Sequence, residues 1–482
     1  MRDPTEVLQT VFGYTAFRPG QEDIVASILA GKDVLAILPT GAGKSLCFQV
    51  PGLCLDGTTI VISPLISLMQ DQVHTLQRRR VAAQYLSSAQ TDQEKQAILQ
   101  QLEQNQLKFI YVAPERLLTD SFLQAVRGAR MSLLVIDEAH CISTWGHQFR
   151  PEYREIAKFR DLLGSKIPTA AFTATATPAV AEDMCAALKL ENPDLHKKSF
   201  ARPNLSIFSY PCESQTAREL ALLRLVKKHS HEAGIIYAST RSSTEEVAEF
   251  IEKYLPSVPV AAYHAGLEPA VRMQIQERFI ADELQLIVAT TAFGMGVDKS
   301  NIRFVIHYQL SASLENYYQE IGRAGRDGKP SNCYLLSVPH DGHIQLELIK
   351  KSGTIQQQKV SLQKLKQITS YAVLSSCYHL AILEYFGESG APCSNRCSIC
   401  LRESRDHELL YGLTDAVERR QLTRLLEWRT EQSEQKSLPE RAVATDKQLC
   451  WAALTGISTA PSFGVGWEKK WSPPPVHLEN ML

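Results

Sequence analysis

The chain carries the stretch Leu38-Pro39-Thr40-Gly41-Ala42-Gly43-Lys44-Ser45 between an apolar run, residues 34–38, and a predicted helix. A glycine-rich turn between a strand and a helix points backbone N–H groups and the helix N-terminus at phosphate oxygens. Lys44, a predicted catalytic residue, can then neutralise the β- and γ-phosphate charge, and the Ser45 hydroxyl can take one position on Mg²⁺. The stretch therefore predicts a nucleoside triphosphate site. The predicted cradle comprises Thr40, Gly41, Ala42, Gly43, Lys44 and Ser45.

An acidic pair follows a second apolar run. The motif Asp137-Glu138-Ala139-His140 comes directly after residues 131–136, an apolar stretch that is predicted to form a buried strand. The acidic pair therefore stands at the end of that strand. Asp137 can hold the metal ion together with Ser45, and Glu138 can orient and activate the attacking water. The acidic pair is therefore predicted to be catalytic, and the two motifs together indicate a nucleoside triphosphatase.

Short apolar strands alternate with helical stretches over residues 30–190 and again beyond residue 204, which is typical of parallel sheets with helices on both faces. From about residue 340 the strand signals fade and helical stretches follow. The sequence therefore predicts an α/β chain of two tandem parallel-sheet domains, with a linker near residues 200–210, followed by a small, separate helical module. The predicted boundaries are 1–205, 206–340 and 341–405, with a polar tail at 406–482. The predicted strands are residues 34–38, 59–63, 108–112, 133–136, 170–173, 233–237, 258–263, 286–289, 304–308 and 332–337.

The composition is that of an ordinary globular protein. Of 482 residues, 44% are hydrophobic and 21% are charged, and no apolar run approaches the roughly 20 residues that a transmembrane helix needs. The first residues are polar and acidic where the apolar core of a signal peptide would begin, so we expect a cytoplasmic protein. The net charge of -1 does not point to a nucleic acid partner, so any polyanion must bind in a local basic groove.

Four of the eleven cysteines form the pattern C-x15-C-x3-C-x2-C. Four thiolates are the ligand set of a closed tetrahedral zinc site, and the short spacings let adjacent turns converge on one ion. Disulfides are the alternative, which a reducing cytoplasm disfavours. We therefore predict a structural Zn²⁺ in the helical module. Its ligands are Cys377, Cys393, Cys397 and Cys400.

Further motifs occur in a defined order along both α/β halves. The phosphate loop itself has Leu38 where the strict G-x-x-x-x-G-K-[ST] pattern begins, and its T-G-x-G-K-S form is the one used by superfamily-two helicases. The first half also contains Phe17-Arg18-Pro19-Gly20-Gln21, Ser63-Pro64-Leu65-Ile66-Ser67-Leu68-Met69-Gln70-Asp71-Gln72 and Thr173-Ala174-Thr175-Ala176. The second half contains Tyr263-His264-Ala265-Gly266-Leu267, Ala292-Phe293-Gly294-Met295-Gly296-Val297-Asp298-Lys299 and Gln319-Glu320-Ile321-Gly322-Arg323-Ala324-Gly325-Arg326-Asp327-Gly328. Taken together, these motifs closely resemble the RecQ family of DNA helicases over roughly residues 5–405.

Residues ahead of the phosphate loop suit an adenine base. The Gln21 amide can bond bidentately to an adenine edge, while Tyr14 and Arg18 present flat groups for stacking on the base. A capped entry to a helix is the structural alternative. By the resemblance, Gly296 and Asp298 of the second half complete the nucleotide site.

Two arginines of the second half suit phosphoryl transfer. Arg323 and Arg326 stand three residues apart, so we expect them near one helical face, and guanidinium groups match a developing phosphoryl charge. Solvated surface arginines are the alternative. The resemblance implies that Arg326 is an arginine finger delivered across the interdomain cleft, and both arginines are predicted to be catalytic.

The segment 141–151, directly after the acidic pair, resembles the aromatic-rich loop of RecQ helicases. Trp145 and Phe149 offer faces for stacking on an unpaired base, and Arg150 can contact phosphate or the nucleotide. Together with His147 they form the predicted DNA-coupling set. A buried aromatic cluster is the alternative.

The chain departs from the family pattern in two places. The residues Ser394-Asn395-Arg396 between the second and third cysteines are one more than is usual. The stretch 422–449 resembles the opening of an RNaseD-like C-terminal domain, and we expect no complete winged helix before it. Residues 406–482 are therefore predicted to hold a degenerate remnant of that domain.

The resemblance implies two RecA-like domains, a zinc-binding module and an ATP-dependent DNA helicase that translocates 3′ to 5′ and acts in recombination and repair. It implies ATP, Mg²⁺ and Zn²⁺ as cofactors, and single-stranded DNA and duplex junctions as partners. We expect a monomer without membrane attachment, assisted by single-strand-binding or repair proteins and nucleoid-associated if bacterial. An RNA helicase and a DNA-bound adaptor without ATPase activity are the alternatives. The cysteines and aromatic-rich loop disfavour the first, and the intact catalytic residues disfavour the second.

Overall fold

Two parallel β-sheets organise the chain. The computed structural model describes residues 2–88, 90–143, 145–146, 149–163, 167–212, 214–293, 299–351, 353–401 and 416–436. Within these ranges every strand pair of the two sheets is parallel. The predicted α/β class with two tandem parallel-sheet domains is therefore confirmed.

Seven described strands form the first sheet: β1 (Val34–Ile37), β2 (Thr58–Ile62), β3 (Ala83–Leu86), β4 (Phe109–Val112), β5 (Met131–Ile136), β6 (Thr169–Thr173) and β7 (Asp194–Lys197). Their spatial order is β3-β4-β2-β5-β6-β1-β7. Along β1, Val34 and Ala36 belong to one hydrophobic cluster, whereas Leu35 and Ile37 belong to another. Both faces are covered, which explains why the central strands are continuously apolar.

The helices of the first half precede β1 or connect successive strands of this sheet. They are α1 (Pro4–Val7), α2 (Gln21–Leu29), α3 (Lys44–Cys54), α4 (Ile66–Arg78), α5 (Asp92–Glu103), α6 (Asp120–Gly128), α7 (Glu155–Leu163) and α8 (Pro178–Ala187). A π-helical turn, Leu8–Phe12, follows α1, and 3-10 turns lie at Pro114–Arg116, Ala139–Ile142 and Pro151–Arg154. Local sequence explains several helix starts. A reciprocal capping box of Thr91 and Glu94 begins α5, and Thr177 caps α8 ahead of Pro178.

Six strands form the second sheet within the described ranges: β8 (Leu205–Pro211), β9 (Gly234–Tyr237), β10 (Val260–Tyr263), β11 (Leu286–Ala289), β12 (Phe304–His307) and β13 (Ser331–Ser337). Their spatial order is β10-β11-β9-β12-β13-β8, so β8 is an edge strand of the described sheet. The helices that follow along the chain are α9 (Gln215–Lys228), α10 (Arg241–Tyr254), α11 (Pro269–Ile280), α12 (Leu314–Ile321), α13 (Asp341–Lys350), α14 (Ile355–Ala372), α15 (Tyr378–Tyr385) and α16 (Ala416–Lys436).

The helical module packs directly on the second sheet. The first helix of the module is anchored by a buried ion pair, in which Arg218 Nη1 lies 2.6 Å from Asp341 Oδ1. At the other end, Cys397 forms an isolated parallel bridge with Ile207 of β8. Tyr371, Tyr378 and Cys397 thus share one hydrophobic cluster with strand residues, so the predicted separate module has a core in common with the second domain.

The structure corrects the predicted linker and adds strands at the sheet edges. Residues 205–211 were expected to lie mostly in a linker near 200–210, but they form β8 and pair along their full length with β13. Strands β3 and β7 were not predicted. The sequence of β7, Asp-Leu-His-Lys, is polar and partly exposed at the sheet edge, so it lacks the continuous apolar signal of a central strand.

The C-terminal tail is described only in part. Of the predicted RNaseD-like remnant at 406–482, only α16 is described, and the remainder of that prediction lies outside the described residues. Among the helices that the structure describes, none combines the length and the apolar character required to cross a bilayer.

Candidate active site and zinc centre

The phosphate loop joins the end of β1 to the start of α3. Gly41 and Gly43 both adopt left-handed backbone conformations, with φ of 84° and 80°. Glycine adopts this region without steric cost, which explains its use at these two positions. Lys44 is the first residue of α3, so the loop leads directly into a helix N-terminus.

Two predicted nucleotide-binding residues contact the phosphate loop itself. The buried Gln21 amide donates from Nε2 to the carbonyls of Ala42 and Gly43, both at 3.1 Å, and its Oε1 accepts from the backbone N–H of Arg18 at 2.8 Å. Arg18 Nη1 donates to the Gly41 carbonyl at 2.7 Å. The amide predicted to read adenine is thus directed at the loop in this conformation. Base recognition by Gln21 stays a prediction that requires an exchange of hydrogen-bond partners.

The acidic pair lies at the carboxyl end of β5, beside the phosphate loop. The backbone N–H of Asp137 donates to Ile62 of β2 at 2.9 Å, and the Tyr153 hydroxyl donates to the Asp137 carbonyl at 3.0 Å. Burial and the neighbouring Glu138 carboxylate raise the pKa of Asp137 to about 6, against the opposing effect of Lys44. Lys44 Nζ lies 3.8 Å from Glu138 Oε1, so the predicted catalytic residues of the first domain are assembled.

Glu138 has a left-handed backbone, with φ of 47° and ψ of 45°. This conformation is uncommon for residues other than glycine and typically costs about 1–3 kcal/mol. It turns the chain sharply between β5 and the 3-10 turn Ala139–Ile142, and it leaves Glu138 Oε2 3.3 Å from His140 Nδ1. The surrounding fold therefore holds the acidic carboxylate in a strained and defined position.

A polar chain leads from Glu138 to the second domain. His140 Nδ1 lies 2.9 Å from Thr173 Oγ1, and Thr173 Oγ1 accepts from the Thr175 backbone N–H at 3.3 Å. Gln319 Nε2 of α12 then donates to Thr175 Oγ1 at 3.0 Å. These four linking residues were absent from the predicted site, although each stands in a motif quoted from the sequence.

The two arginines do not share a helical face as expected. Helix α12 ends at Ile321, and Arg323 and Arg326 lie in the turns that follow, where Gly325 has φ of 57°. Arg323 is buried. Arg326 lies against the phosphate loop of the first domain, since a Cβ built on Gly41 would be in van der Waals contact with Arg326 Cγ, at 3.6 Å. The structure therefore brings the second-domain arginine to the glycine-rich loop.

The aromatic-rich loop is exposed at its centre. Trp145 is 51% exposed, which disfavours the buried-cluster alternative for this residue. Phe149 is partly buried and has the Arg154 guanidinium 5.9 Å from its ring centroid. Arg150 Nη1 donates to the Pro64 carbonyl at 3.0 Å, close to the start of α4. The predictions for His147, Gly296 and Asp298 fall on positions outside the described residues.

The four predicted zinc ligands converge. The sulfur atoms of Cys377, Cys393, Cys397 and Cys400 all lie within 4.8 Å of one another. Tetrahedral Zn–S bonds of about 2.3 Å place sulfur atoms about 3.8 Å apart, so the cluster fits one ion with small adjustments. Ser394 takes a left-handed conformation, with φ of 64°, and thereby accommodates the additional residue in the loop.

Fold and site together define a class of protein: a two-domain nucleoside triphosphatase with a zinc-binding module. Comparison with known families agrees along the chain. The DEAD/DEAH box helicase family matches residues 18–184, the helicase conserved C-terminal domain matches residues 217–328, and the RecQ zinc-binding family matches residues 339–401. These matches support Zn²⁺, ATP and Mg²⁺ as the cofactors, as the sequence predicts.

Relatives identify the family. The chain is 44% identical over 411 residues to the ATP-dependent DNA helicase RecQ of Haemophilus influenzae, a match that covers 85% of this chain and 65% of that protein. It is 42% identical over 404 residues to the ATP-dependent DNA helicase RecQ of Bacillus subtilis, a match that covers 84% and 68% of the two chains. The chain therefore belongs to the RecQ family, as its motifs predict, and it spans about two thirds of the length of these relatives.

Solved structures share the fold. Mycobacterium smegmatis helicase Lhr bound to single-stranded DNA and AMP-PNP has a TM-score of 0.56 at 18% identity, covering 82% of this chain and 56% of that one. Saccharomyces cerevisiae Dbp5 bound to RNA and ADP BeF3 has a TM-score of 0.57 at 16% identity, covering 75% and 97%. At these identities the likeness shows the RecA-like fold of the two domains.

The zinc centre yields a testable prediction. Structural zinc contributes roughly 10–16 kcal/mol in small zinc fingers, and this binding energy is folding energy. Cys397 is fully buried and forms a bridge with β8. The wild-type protein should contain one zinc ion per chain. Cys397→Ser should lower this zinc content and increase proteolysis within residues 341–401. Atomic absorption and limited proteolysis measure both effects.

Cys185→Ser is the matched control, because this partly buried thiol of α8 lies outside the cluster. It should keep full zinc content. Metal-free wild-type protein from a preparation without chelators, with Cys393 and Cys397 alkylated under native conditions, would contradict the zinc assignment.

Proposed function

We propose that this chain is an ATP-dependent DNA helicase that translocates 3′ to 5′ on single-stranded DNA. The observation that carries the proposal is the approach of Arg326 from the second domain to Gly41 of the phosphate loop, with the acidic pair beside the same loop. A nucleotide in this cleft would contact both domains at once, so its binding and hydrolysis would close and reopen the cleft. Membership of the RecQ family supports DNA as the nucleic acid.

Each residue of the cleft has a proposed task. The phosphate-loop N–H groups and Lys44 bind the triphosphate, and Glu138, held by His140, orients the attacking water. Ser45 and Asp137 would hold Mg²⁺, which when bound neutralises phosphate charge. Arg326 stabilises negative charge on the transferred phosphoryl group.

The residues outside the hydrolytic centre have proposed tasks as well. Gln21, Arg18 and Tyr14 bind the adenine end, and Arg323 supports the second-domain side of the site. Trp145 and Phe149 stack on unpaired bases, while Arg150 relays their occupancy to the segment that precedes α4. DNA binding would thereby be coupled to the acidic pair a few residues upstream.

We further propose a monomeric cytoplasmic protein that works on single strands and duplex junctions in recombination and repair, alongside single-strand-binding or repair proteins and at the nucleoid if bacterial. Cysteine use supports the reducing compartment, since four thiols converge in a group that could hold one metal ion and the other described cysteines form no disulfide.

Unwinding assays test the direction and the substrate. With ATP, the protein should unwind a duplex with a 3′ single-stranded tail and leave 5′-tailed and blunt duplexes largely intact. Single-stranded DNA should stimulate ATP hydrolysis more than RNA of the same sequence and length. Stimulation by RNA alone, or unwinding that requires a 5′ tail, would contradict the proposal.

The hydrolytic roles are tested by two substitutions. Lys44→Ala should abolish ATP turnover, because the loop loses its lysine charge. Glu138→Gln should still bind a fluorescent ATP analogue but lower kcat by about 10²–10⁴-fold, the usual contribution of a general base. DNA binding should persist in both variants. A Glu138→Gln variant with wild-type kcat would show that another group activates the water.

Trp145 gives a prediction for the DNA-coupling loop. Stacking of one base on an aromatic ring is worth about 1–3 kcal/mol, so Trp145→Ala should raise the half-stimulating concentration of single-stranded DNA by about 5- to 150-fold. A titration of ATPase rate with DNA measures this shift. Leu162→Ala, an exposed apolar residue of α7, is the control. An unchanged half-stimulating DNA concentration for Trp145→Ala would contradict the proposal that Trp145 stacks on an unpaired base.

A further inference from the structure

The segment between the two sheets contacts the loop that carries both arginines. Residues 198–204 connect β7 of the first domain to β8 of the second. Two side chains of this linker, Arg202 and Asn204, are partly buried and point at the turns after α12. Neither residue is explained by the nucleotide, DNA or zinc sites described above.

Arg202 donates hydrogen bonds to the backbone on both sides of Arg323. Its Nη1 donates to the Gly322 carbonyl at 3.3 Å and its Nη2 donates to the Ala324 carbonyl at 3.0 Å. These carbonyls belong to the residues on either side of Arg323. One planar guanidinium thus fixes the backbone at two neighbouring points, which a single ammonium group cannot do in the same geometry.

Asn204 donates hydrogen bonds to the backbone on both sides of Arg326. Its Nδ2 donates to the Gly325 carbonyl at 2.9 Å and to the Lys329 carbonyl at 3.1 Å, on the two sides of Arg326. The Asn204 carbonyl accepts from the Ser331 N–H at 3.0 Å, which ties the linker to the start of β13. Gly325 permits this approach, because a Cβ at that position would collide with the Asn204 amide.

The loop needs such support because it is built from turns. A helix satisfies its own carbonyls through N–H groups four residues ahead, but α12 ends at Ile321, and carbonyls beyond it require other partners. Four of these, at Gly322, Ala324, Gly325 and Lys329, accept from the linker. The position of Arg326 against Gly41 therefore depends on linker side chains as well as on its own domain.

The part of the linker that follows β7 is held by the helical module and by α12. The Phe200 ring stacks on Phe386 of the helical module at a centroid distance of 4.1 Å, and its carbonyl accepts from the Tyr318 hydroxyl at 3.0 Å. Glu388 accepts from the Phe200 N–H at 3.2 Å. These contacts restrict the backbone of the linker, and so they restrict the positions of Arg202 and Asn204.

We propose that Arg202 and Asn204 are positioning residues that set the arginine loop for ATP hydrolysis. This inference rests on the proposed function, since it assigns Arg202 and Asn204 an effect only through Arg323 and Arg326. Because Phe200 contacts α12 and the helical module and the Asn204 carbonyl bonds to β13, these donors hold the arginine loop from within the second-domain side of the cleft.

Steady-state ATPase kinetics test the proposal. Arg202→Ala and Asn204→Ala should each lower kcat by about 10- to 100-fold, because small misplacements of a catalytic group cost rates of this order, while the KM for ATP and the thermal unfolding midpoint stay close to wild type. Arg202→Lys should recover only part of the rate. Arg278→Ala, which removes an exposed arginine paired with Glu283 in the same domain, is the matched control and should be unaffected.

A double-mutant cycle separates positioning from a general structural role. In an Arg326→Ala background, Asn204→Ala should cause little further loss of kcat, since there is no finger left to position, and Arg202→Ala should behave likewise in an Arg323→Ala background. Multiplicative losses, or wild-type kcat in both alanine variants, would overturn the proposal. If Arg202→Ala proves unstable, the same cycle with Arg202→Lys decides between the outcomes. Wild-type kcat in Arg326→Ala would instead refute the finger role in the proposed function.

Discussion

The close approach of Arg326 to Gly41 is the constraint around which the two domains are arranged. A Cβ at Gly41 would lie in ordinary van der Waals contact with Arg326 Cγ, at 3.6 Å, so it is the left-handed backbone of Gly41 that favours glycine at this position. The carboxyl ends of the strands in the first sheet lead to the phosphate loop and the acidic pair, and the second sheet supplies the arginine loop to the same cleft. Each sheet therefore serves to place one short loop against the other.

Polar groups in this cleft already satisfy one another before a nucleotide is considered. Gln21 bonds to loop carbonyls, Lys44 lies near Glu138, and His140 lies between Glu138 and Thr173. Nucleotide binding must then exchange hydrogen bonds rather than form them anew, and such exchanges contribute only about 0.5–1.5 kcal/mol each.

Most of the architecture could be predicted from sequence, because buried parallel strands and glycine-rich loops have strong local signals. The central strands, the phosphate loop, the acidic pair and the cysteine cluster are of this kind. Edge strands such as β7 and β8 lack the signal, since one is polar and the other begins inside an apparent linker. The partners of Gln21 and Arg202 are backbone carbonyls distant in sequence, and residue identity carries no information about such contacts.

The bridge between Cys397 and Ile207 has a consequence for solution behaviour. Strand β8 ends the described second sheet, and the cysteine loop bonds to its outer side. The Ile207 N–H donates to the Arg396 carbonyl at 2.8 Å, and the Ile207 carbonyl accepts from the Ser398 N–H at 3.1 Å. An uncovered edge of this kind is a template for pairing with other chains. The cysteine loop therefore covers this edge of the sheet. Removal of zinc by a chelator would be expected to expose β8 and to cause self-association by pairing of exposed strand edges.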